Sequence, residues 1–504
     1  MRKLHPRCSQ KYHARSLLIL LPFSYAGGMP SPDAAHIRTT ALIVASALFM
    51  EQLDATVLAT ALPTMAEHFQ VSAMHMSVAL TSYMLSLAVF IPASGKIADR
   101  FGTRRVFCAA ILIFTLGSAL CGQSHSLAFL VGSRLLQGLG GAMMVPVGRL
   151  LLLRTIPKEE MVAAMSWFLV PALLGPVVGP PLGGLIVTHL SWQWIFYINL
   201  PIGLIGMGLV LRYIEDVTER REEPFDWLGL LISGLSLSCL IFGLEIASRG
   251  AVTLPMVVAI LVVGFGSGGL YLWHARHHPA PIINISLMRY PTFRLSVWAG
   301  ALTRITGGAM PFLLPLMMQL GFGLSAEKSG LITFSSAAGS MAMKASATRV
   351  LRRFGYRRTL IWNGVAACAF IALIAAFRPD WPLPLIYGCL LAGGFFQSLQ
   401  FTAYNTIAYA DIPRESMSDA TAFYSTIQQM MLSLGICVAS LSLNGSVALF
   451  GRTAPTLGDF SLAFLVVTAI SLLASPVNAL LPEDAGDDMA GRKRAGAAVH
   501  SGMR

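Results

Sequence analysis

Two charged residues lie where charge is expensive. Asp54 sits in Leu53-Asp54-Ala55-Thr56-Val57, within an apolar run that continues to Leu62-Pro63, and Arg134 opens Arg134-Leu135-Leu136-Gln137-Gly138 inside another. A charge at the centre of a membrane-length segment costs about 3 kcal/mol or more, so by default it is there for function. A rise of ~1.5 Å per residue places Asp54 ~20 Å beyond the start of its segment and Arg134 ~10 Å inside the opposite edge of its own, at similar depth. Such a pair can relay protons, because a proton on the acid weakens its hold on the arginine. Glu51, one turn earlier on the same helix face, is a second candidate for that chemistry. A static ion pair is the alternative reading of the same residues.

Arg304 falls ~16 Å into another apolar run, with room made by Gly307 and Gly308 and no acid in the two turns before it. It can face a cavity and meet an anionic group or a carboxylate elsewhere, or serve as a structural hydrogen-bond donor. Gln137, Gln397, Gln400, Asn405, Gln428 and Gln429 are candidates to line a wet cavity, with interhelix hydrogen bonds as the plainer reading, and Trp298 and Phe312 are candidate aromatic walls. Glu245 and Lys344 lie near segment ends, where long side chains reach the interface, and carry no assigned role. His274, His277 and His278 with Arg276 stand in a loop with no Cys or acid beside them, which argues against a metal site. The seven Cys form no Cys-x-x-Cys pair. GFGSGG at 264–269 lies inside an apolar run instead of after a strand, and no GxxxxGK[ST] occurs. No cofactor is expected.

The elements that must position these residues are membrane spans. The chain of 504 residues is 55% hydrophobic and only 12% charged, against about 25% charged in soluble domains. Fourteen apolar segments follow one another, at about 39–62, 73–95, 106–122, 127–150, 161–188, 193–213, 226–247, 253–273, 293–320, 326–347, 359–377, 382–409, 417–448 and 460–481. The net charge of +12 does not indicate nucleic acid. If the N-terminus is cytoplasmic, 28 of the 36 Lys and Arg fall on the cytoplasmic side and four (Arg249, Lys328, Arg378, Arg452) on the other, which places both termini inside.

Gly95–Arg105, GKIADRFGTRR, is a short charged loop in which Gly95 and Gly102 are expected to bracket a tight reversal. Arg100-Phe101-Gly102-Thr103-Arg104-Arg105 recurs as Arg353-Phe354-Gly355-Tyr356-Arg357-Arg358, an offset of 253. Each copy falls between the second and third segment of a set of six. Parallel six-helix halves with a substrate site between them are a transporter architecture. The expected organisation is an irregular extension over 1–36 (with Met29 as an alternative start), one half over 37–214, two linking helices over 215–275, a second half over 276–482, and an irregular tail over 483–504. Gly175-Pro176-Val177-Val178-Gly179-Pro180-Pro181-Leu182-Gly183-Gly184 predicts a bent helix with a close-packing face.

Taken in order, the Asp54 segment, Gly95–Arg105, Arg134–Gly138, Gly175–Gly184, Ser191–Gly203 and Phe225–Gly229 resemble the fourteen-helix drug:proton antiporter branch of the major facilitator superfamily, the branch of the EmrB and QacA efflux pumps. The resemblance implies an all-α integral membrane protein with two six-helix halves plus two extra helices. It implies proton coupling at Asp54 and Arg134. It also implies a cytoplasmic gate at Gly95, Asp99, Arg100, Gly102 and Arg104, and an antiporter helix at Gly175, Pro176, Gly179, Pro180, Gly183 and Gly184. Three positions depart from the pattern: Gln193 where Arg is common, Arg352 where an acid would mirror Asp99, and Glu51 where relatives resemble Gln.

The expected function is proton-coupled export of small molecules, drugs or toxic amphiphiles, across the bacterial inner membrane. The chain would not be an enzyme. Its expected partners are the substrate, protons, the lipid bilayer, and a periplasmic adaptor with an outer-membrane channel. The alternative is export of an organic anion or metal-chelate metabolite, which would suit Arg304 and Arg134.

Overall fold

The computed structural model describes residues 32–155, 161–214, 225–249, 253–344, 346–413 and 416–486. The expected extension up to residue 31 with Met29, part of the link at 215–224, and the tail beyond 486 lie outside the described residues. Among the described residues there are helices and turns and no strand. The principal helices are α1 (Pro32–Phe69), α2 (Ser77–Phe101), α3 (Thr103–Gly122), α4 (Leu127–Thr155), α5 (Met161–His189), α6 (Asn199–Tyr213), α7 (Trp227–Arg249), α8 (Leu254–His277), α9 (Pro291–Leu316), α10 (Ala326–Lys344), α11 (Tyr356–Ile374), α12 (Leu383–Ile407), α13 (Met417–Leu449) and α14 (Leu457–Leu472). Among the described residues eleven stretches are long and apolar enough to cross a membrane, and α5, α10 and α12 pack among them. Helix α1 begins inside the stretch 1–36 expected to be irregular, and Glu483 of the expected tail pairs with Arg357 at 3.0 Å.

The internal repeat has a physical basis. Gly102 and Gly355 each end one helix and start the next at φ 91° and 75°, a backbone region that residues with a Cβ avoid. The preceding arginine lies 5.7 Å over its phenylalanine in both copies, Arg100 on Phe101 and Arg353 on Phe354. Arg104 donates to the Leu211 carbonyl at the end of α6, and Arg357 to the Ala479 carbonyl after α14. Each half therefore ties its third helix to its sixth in the same way. Gly95 does not bracket the reversal, because α2 runs through it to Phe101 and a Cβ there would meet nothing within 4 Å.

The two ends of the bundle are packed differently. Where α1 finishes, one apolar cluster draws on both halves, with Leu58, Leu62 and Met65 packed with Phe312, Leu316 and Phe464. There Gln319 Nε2 donates to the Thr60 carbonyl at 3.1 Å, and α5 packs against α10. At the opposite end the larger clusters belong to single halves, with Val44, Phe107 and Val147 in one and Leu351, Leu360 and Ile407 in another, and only a small cluster of Ala93, Leu230 and Ile282 crosses among the described residues. A cavity of about 570 Å³ lies between the halves, bounded by residues of both.

The linking pair sits at one seam. Helix α7 packs on both α2 and α13, and α8 packs mainly on α7. Leu85, Ala88, Leu237, Ile241 and Cys437 share one cluster. Glu245 does not reach the interface. It is fully buried, accepting from Ser77 Oγ at 2.5 Å and lying 3.6 Å from Cys437 Sγ, so its polar needs are met inside the seam.

Candidate functional site

The first half holds a closed polar network. Arg134 and Gln137 lie one turn apart on α4 and reach α1 together. Arg134 Nη1 stands 2.6 Å from Asp54 Oδ2 and also donates to Gln137 Oε1 at 2.6 Å. Gln137 Nε2 donates to Asp54 Oδ1 at 2.8 Å and Ser118 Oγ at 2.7 Å. Asn199, at the start of α6, donates to Asp54 Oδ1 at 3.0 Å and to Ser118 Oγ at 3.2 Å. Arg134 Nε holds the Ala79 carbonyl at 2.9 Å, and its guanidinium lies 4.4 Å over the Tyr83 ring. Asp54, Arg134, Gln137 and Asn199 are all buried. A buried ion pair is tolerable only when further hydrogen bonds meet its remaining lone pairs and protons, and here four helices supply them. Arg134 Nη2, Asn199 Oδ1 and the Tyr83 hydroxyl are left without a hydrogen-bond partner.

Gln137, expected in a cavity wall, thus belongs to the Asp54 network, because its spacing of three from Arg134 turns both to α1. Asn199 and Ser118 were not expected here. Their only signal is that each is a polar residue in an otherwise apolar stretch.

Glu51 lies in the cavity wall, while Asp54 stands behind it toward α4. Three residues of helix turn the chain by ~300°, so the two share a side but not a line. Glu51 is 7% exposed and its Oε2 has no hydrogen-bond partner. From the second half, Lys344, Gln397, Asn405, Gln428 and Gln429 line the cavity. Arg304 stands one layer back, 2% exposed, donating from Nη2 to Asn405 Oδ1 at 2.9 Å and Gln428 Oε1 at 3.2 Å. Its guanidinium lies 4.6 Å over Tyr424 and 5.5 Å over Phe401.

Three expected wall residues lie elsewhere. Gln400 is buried away from the cavity, joined to the Leu360 carbonyl and Asn363, where it bridges α12 and α11. Trp298 is 60% exposed on the outside of the bundle, and Phe312 is fully buried in the shared apolar cluster. Apolar surface is equally suited to lipid and to core, so residue type alone does not place it.

The Gly-Pro helix α5 makes the close approach its spacing predicts. A Cβ on Gly175 would stand 2.7 Å from Gln52 Cβ, and Gly179 and Gly183 face the Thr56 and Thr60 hydroxyls. Residues four apart on α5 thus seat residues four apart on α1. Gly184 abuts the backbone of Ala326 and Glu327 in α10, and the Pro180 carbonyl abuts Gly330. Pro176 lines the cavity. One helix therefore serves α1, the cavity and the opposite half. At the end of α2, which takes up most of the expected loop, Lys96 Nζ holds the Ala280 carbonyl at 2.8 Å, Asp99 is half-buried and Arg100 is exposed.

The fold brings an acid to the histidines after all. Asp226, His274 and His278 offer ligand atoms within 4.8 Å of one another, while His277 turns to the Trp273 carbonyl. The Asp226 carboxylate is already engaged by the Gly229 amide at 2.8 Å, the Ile282 amide at 3.2 Å and His274 Nε2 at 2.8 Å. Burial raises its pKa, but these bonds outweigh burial and leave it below the ordinary carboxylate range.

A helical bundle of two repeated halves, with a buried ion pair beside a cavity that both halves line, defines a multi-pass membrane transporter. The chain belongs to the Major Facilitator Superfamily, whose family pattern matches residues 44–436. It is 36% identical over 466 residues to "Putative multidrug resistance protein MdtD" of Klebsiella pneumoniae (strain 342), covering 91% of this chain and 98% of that one. The protein of the same name in Escherichia coli O6:H1 is 37% identical over 470 residues, at 92% and 98% coverage. Among solved structures, an auto-inhibited POT family peptide transporter superposes with a TM-score of 0.63 at 16% identity, covering 88% of this chain and 96% of that one. The human organic anion transporter MFSD10 superposes at 0.59 and 14% identity, with 88% and 99% coverage. These two likenesses establish the fold.

Proposed function

We propose that the chain is a proton-coupled antiporter that exports small amphiphilic molecules by alternating access. The observation that carries this reading is the buried Asp54–Arg134 pair placed directly behind a cavity wall that bears Glu51. A proton placed on Asp54 would remove the charge that holds Arg134, and a change in that pair is a change in how helices α1 and α4 meet. Proton occupancy and helix position are thereby linked.

With the basic loops inside, the chain lies in the bacterial inner membrane with both termini cytoplasmic. The end sealed by a cluster shared between the halves then faces outward, and the conformation is open to the cytoplasm. Substrate enters from there and displaces a proton, the halves rock about α5, and external protons reset the cycle. Gly95, Asp99, Arg100, Gly102 and Arg104 act on the cytoplasmic side, and Asp99 holds the outward-facing state. The multidrug name of the relatives supports a drug or toxic amphiphile as cargo. A periplasmic adaptor and outer-membrane channel would carry cargo onward.

The second reading, export of an organic anion or metal chelate, is favoured by Arg304, a buried cation with no acid against it among the described residues. The test is flux in proteoliposomes with an imposed pH gradient, across cationic dyes and organic acids. Export of dyes that follows the gradient and is lost in Asp54→Asn supports the first reading, and movement of acids alone supports the second.

A further inference from the structure

The offset of 253 residues that carries Arg100-Phe101-Gly102 onto Arg353-Phe354-Gly355 also carries Glu51 onto Arg304. The first helix of each half thus holds an ionisable side chain at an equivalent position, an acid in one and a base in the other. Both residues are more than nine-tenths buried, at 7% and 2% exposure. Among the described residues neither belongs to an ion pair.

On one wall, Glu51 Oε2 has no hydrogen-bond partner and the residue borders the cavity. On the other, Arg304 takes the side-chain oxygens of Asn405 and Gln428, which border the cavity too. An amide whose oxygen is occupied has N–H donors left to offer. That wall therefore presents donors backed by a guanidinium that cannot lose its charge, and Lys344 also borders the cavity.

We propose that this cavity selects a zwitterionic amphiphile, with its cationic nitrogen against Glu51 and its anionic group against the Asn405–Gln428 wall. The proposal deepens the export reading and rests on it for the claim that this cavity is the transport path. A lone cation would answer Glu51 but meet Arg304 with like charge, and a lone anion would meet the reverse conflict. A dipolar ligand satisfies both walls and brings no net charge into a cavity whose lining is largely apolar. The apolar remainder of the wall, such as Met84, Leu87, Met310 and Ile436, suits the ligand's hydrophobic body.

The test uses the purified full chain and three fluorescent probes of one shape. Nα-dansyl-lysine carries an ammonium and a carboxylate, its methyl ester only the ammonium, and its Nε-acetyl derivative only the carboxylate. The zwitterion is expected to bind about tenfold more tightly than either relative, the worth of one well-placed polar interaction. Glu51→Gln should erase its advantage over the acetyl derivative, and Arg304→Gln its advantage over the ester. Glu51→Asp, which keeps the charge, should retain the preference. Equal binding of all three probes to the unmodified protein, or tighter binding of a singly charged one, overturns the proposal without any variant. Flux of the same probes under a pH gradient separates the two readings. Charge-selective binding without gradient-driven flux overturns the antiport reading, and gradient-driven flux without charge preference overturns this inference alone.

Discussion

The two halves share a backbone plan and handle a buried arginine in opposite ways. In the first, Arg134 is neutralised within the half by Asp54, and Gln137, Asn199 and Ser118 complete the network. In the second, Arg304 is held by two amides and two aromatic rings, with no acid against it among the described residues. A carboxylate can change charge by taking a proton, whereas a guanidinium stays positive at every physiological pH. Any proton-driven change of charge in these two networks is therefore confined to the first half, and the second contributes a constant positive field. The difference separates a network that contains a titratable carboxylate from one that contains none among the described residues.

That contrast can be broken most severely at Asp54. Asp54→Asn leaves Arg134 buried without its counter-ion, a loss of about 3–5 kcal/mol. The double variant Asp54→Asn with Arg134→Gln removes the stranded charge. Thermal melting should show partial recovery in the double variant, while proton-driven flux stays lost in both. Recovery of flux in the double variant would mean that the pair is structural only. Arg304→Gln should be milder, at about 1–3 kcal/mol, since it unmakes hydrogen bonds to neutral groups. It should change which probes are carried and leave dependence on the pH gradient intact, as read by flux at matched expression.

The same comparison can be sharpened at the glycines. Gly179→Val drives a side chain into Thr56 and should cost about 1–3 kcal/mol by overpacking α1 against α5. Gly102→Ala and Gly355→Ala place a Cβ at positive φ in each half and should cost about 1 kcal/mol apiece. Gly95→Ala, in open space within a helix, should be stabilising by a few tenths to about 1 kcal/mol. Melting temperatures of the four variants in detergent would rank them.

The smallest effect is expected at Asp226. Its pKa is lowered in the folded state, so its contribution is present at neutral pH and is lost as pH falls through the folded value. The acid limb of a melting profile should therefore shift toward neutrality in His274→Gln, which removes one of the groups holding the carboxylate down. An unchanged limb would mean that the Gly229 and Ile282 amides suffice.

Much of this was legible in the sequence because charge is rare in apolar runs. Asp54, Arg134 and Arg304 announce themselves by cost alone, and the repeated Arg-Phe-Gly fixes the relation of the halves. What was not legible depends on direction around a helix and on distant partners. Gln137 and Gln400 carry the same amide as Gln428, but helix rotation turns them to Asp54 and to Asn363 instead of to the cavity. Asn199 lies 145 residues from Asp54 and Asp226 lies 48 from His274, so no local pattern joins them. Gly95 reads as a turn by type, yet only Gly102 has the backbone angle that needs glycine.

The placement of α7 and α8 bears on how a lipid-soluble molecule meets the cavity. Between the halves run two seams, one along α2 and α13 and one along α5 and α10. The first is sheathed by α7, which buries Leu237, Ile241 and Glu245 against it, and α8 lies outside that. Among the described residues the second has no such cover. Lipid tails therefore touch the two seams unequally, and a compound dissolved in the bilayer approaches a protein that is symmetric in plan but one-sided in access.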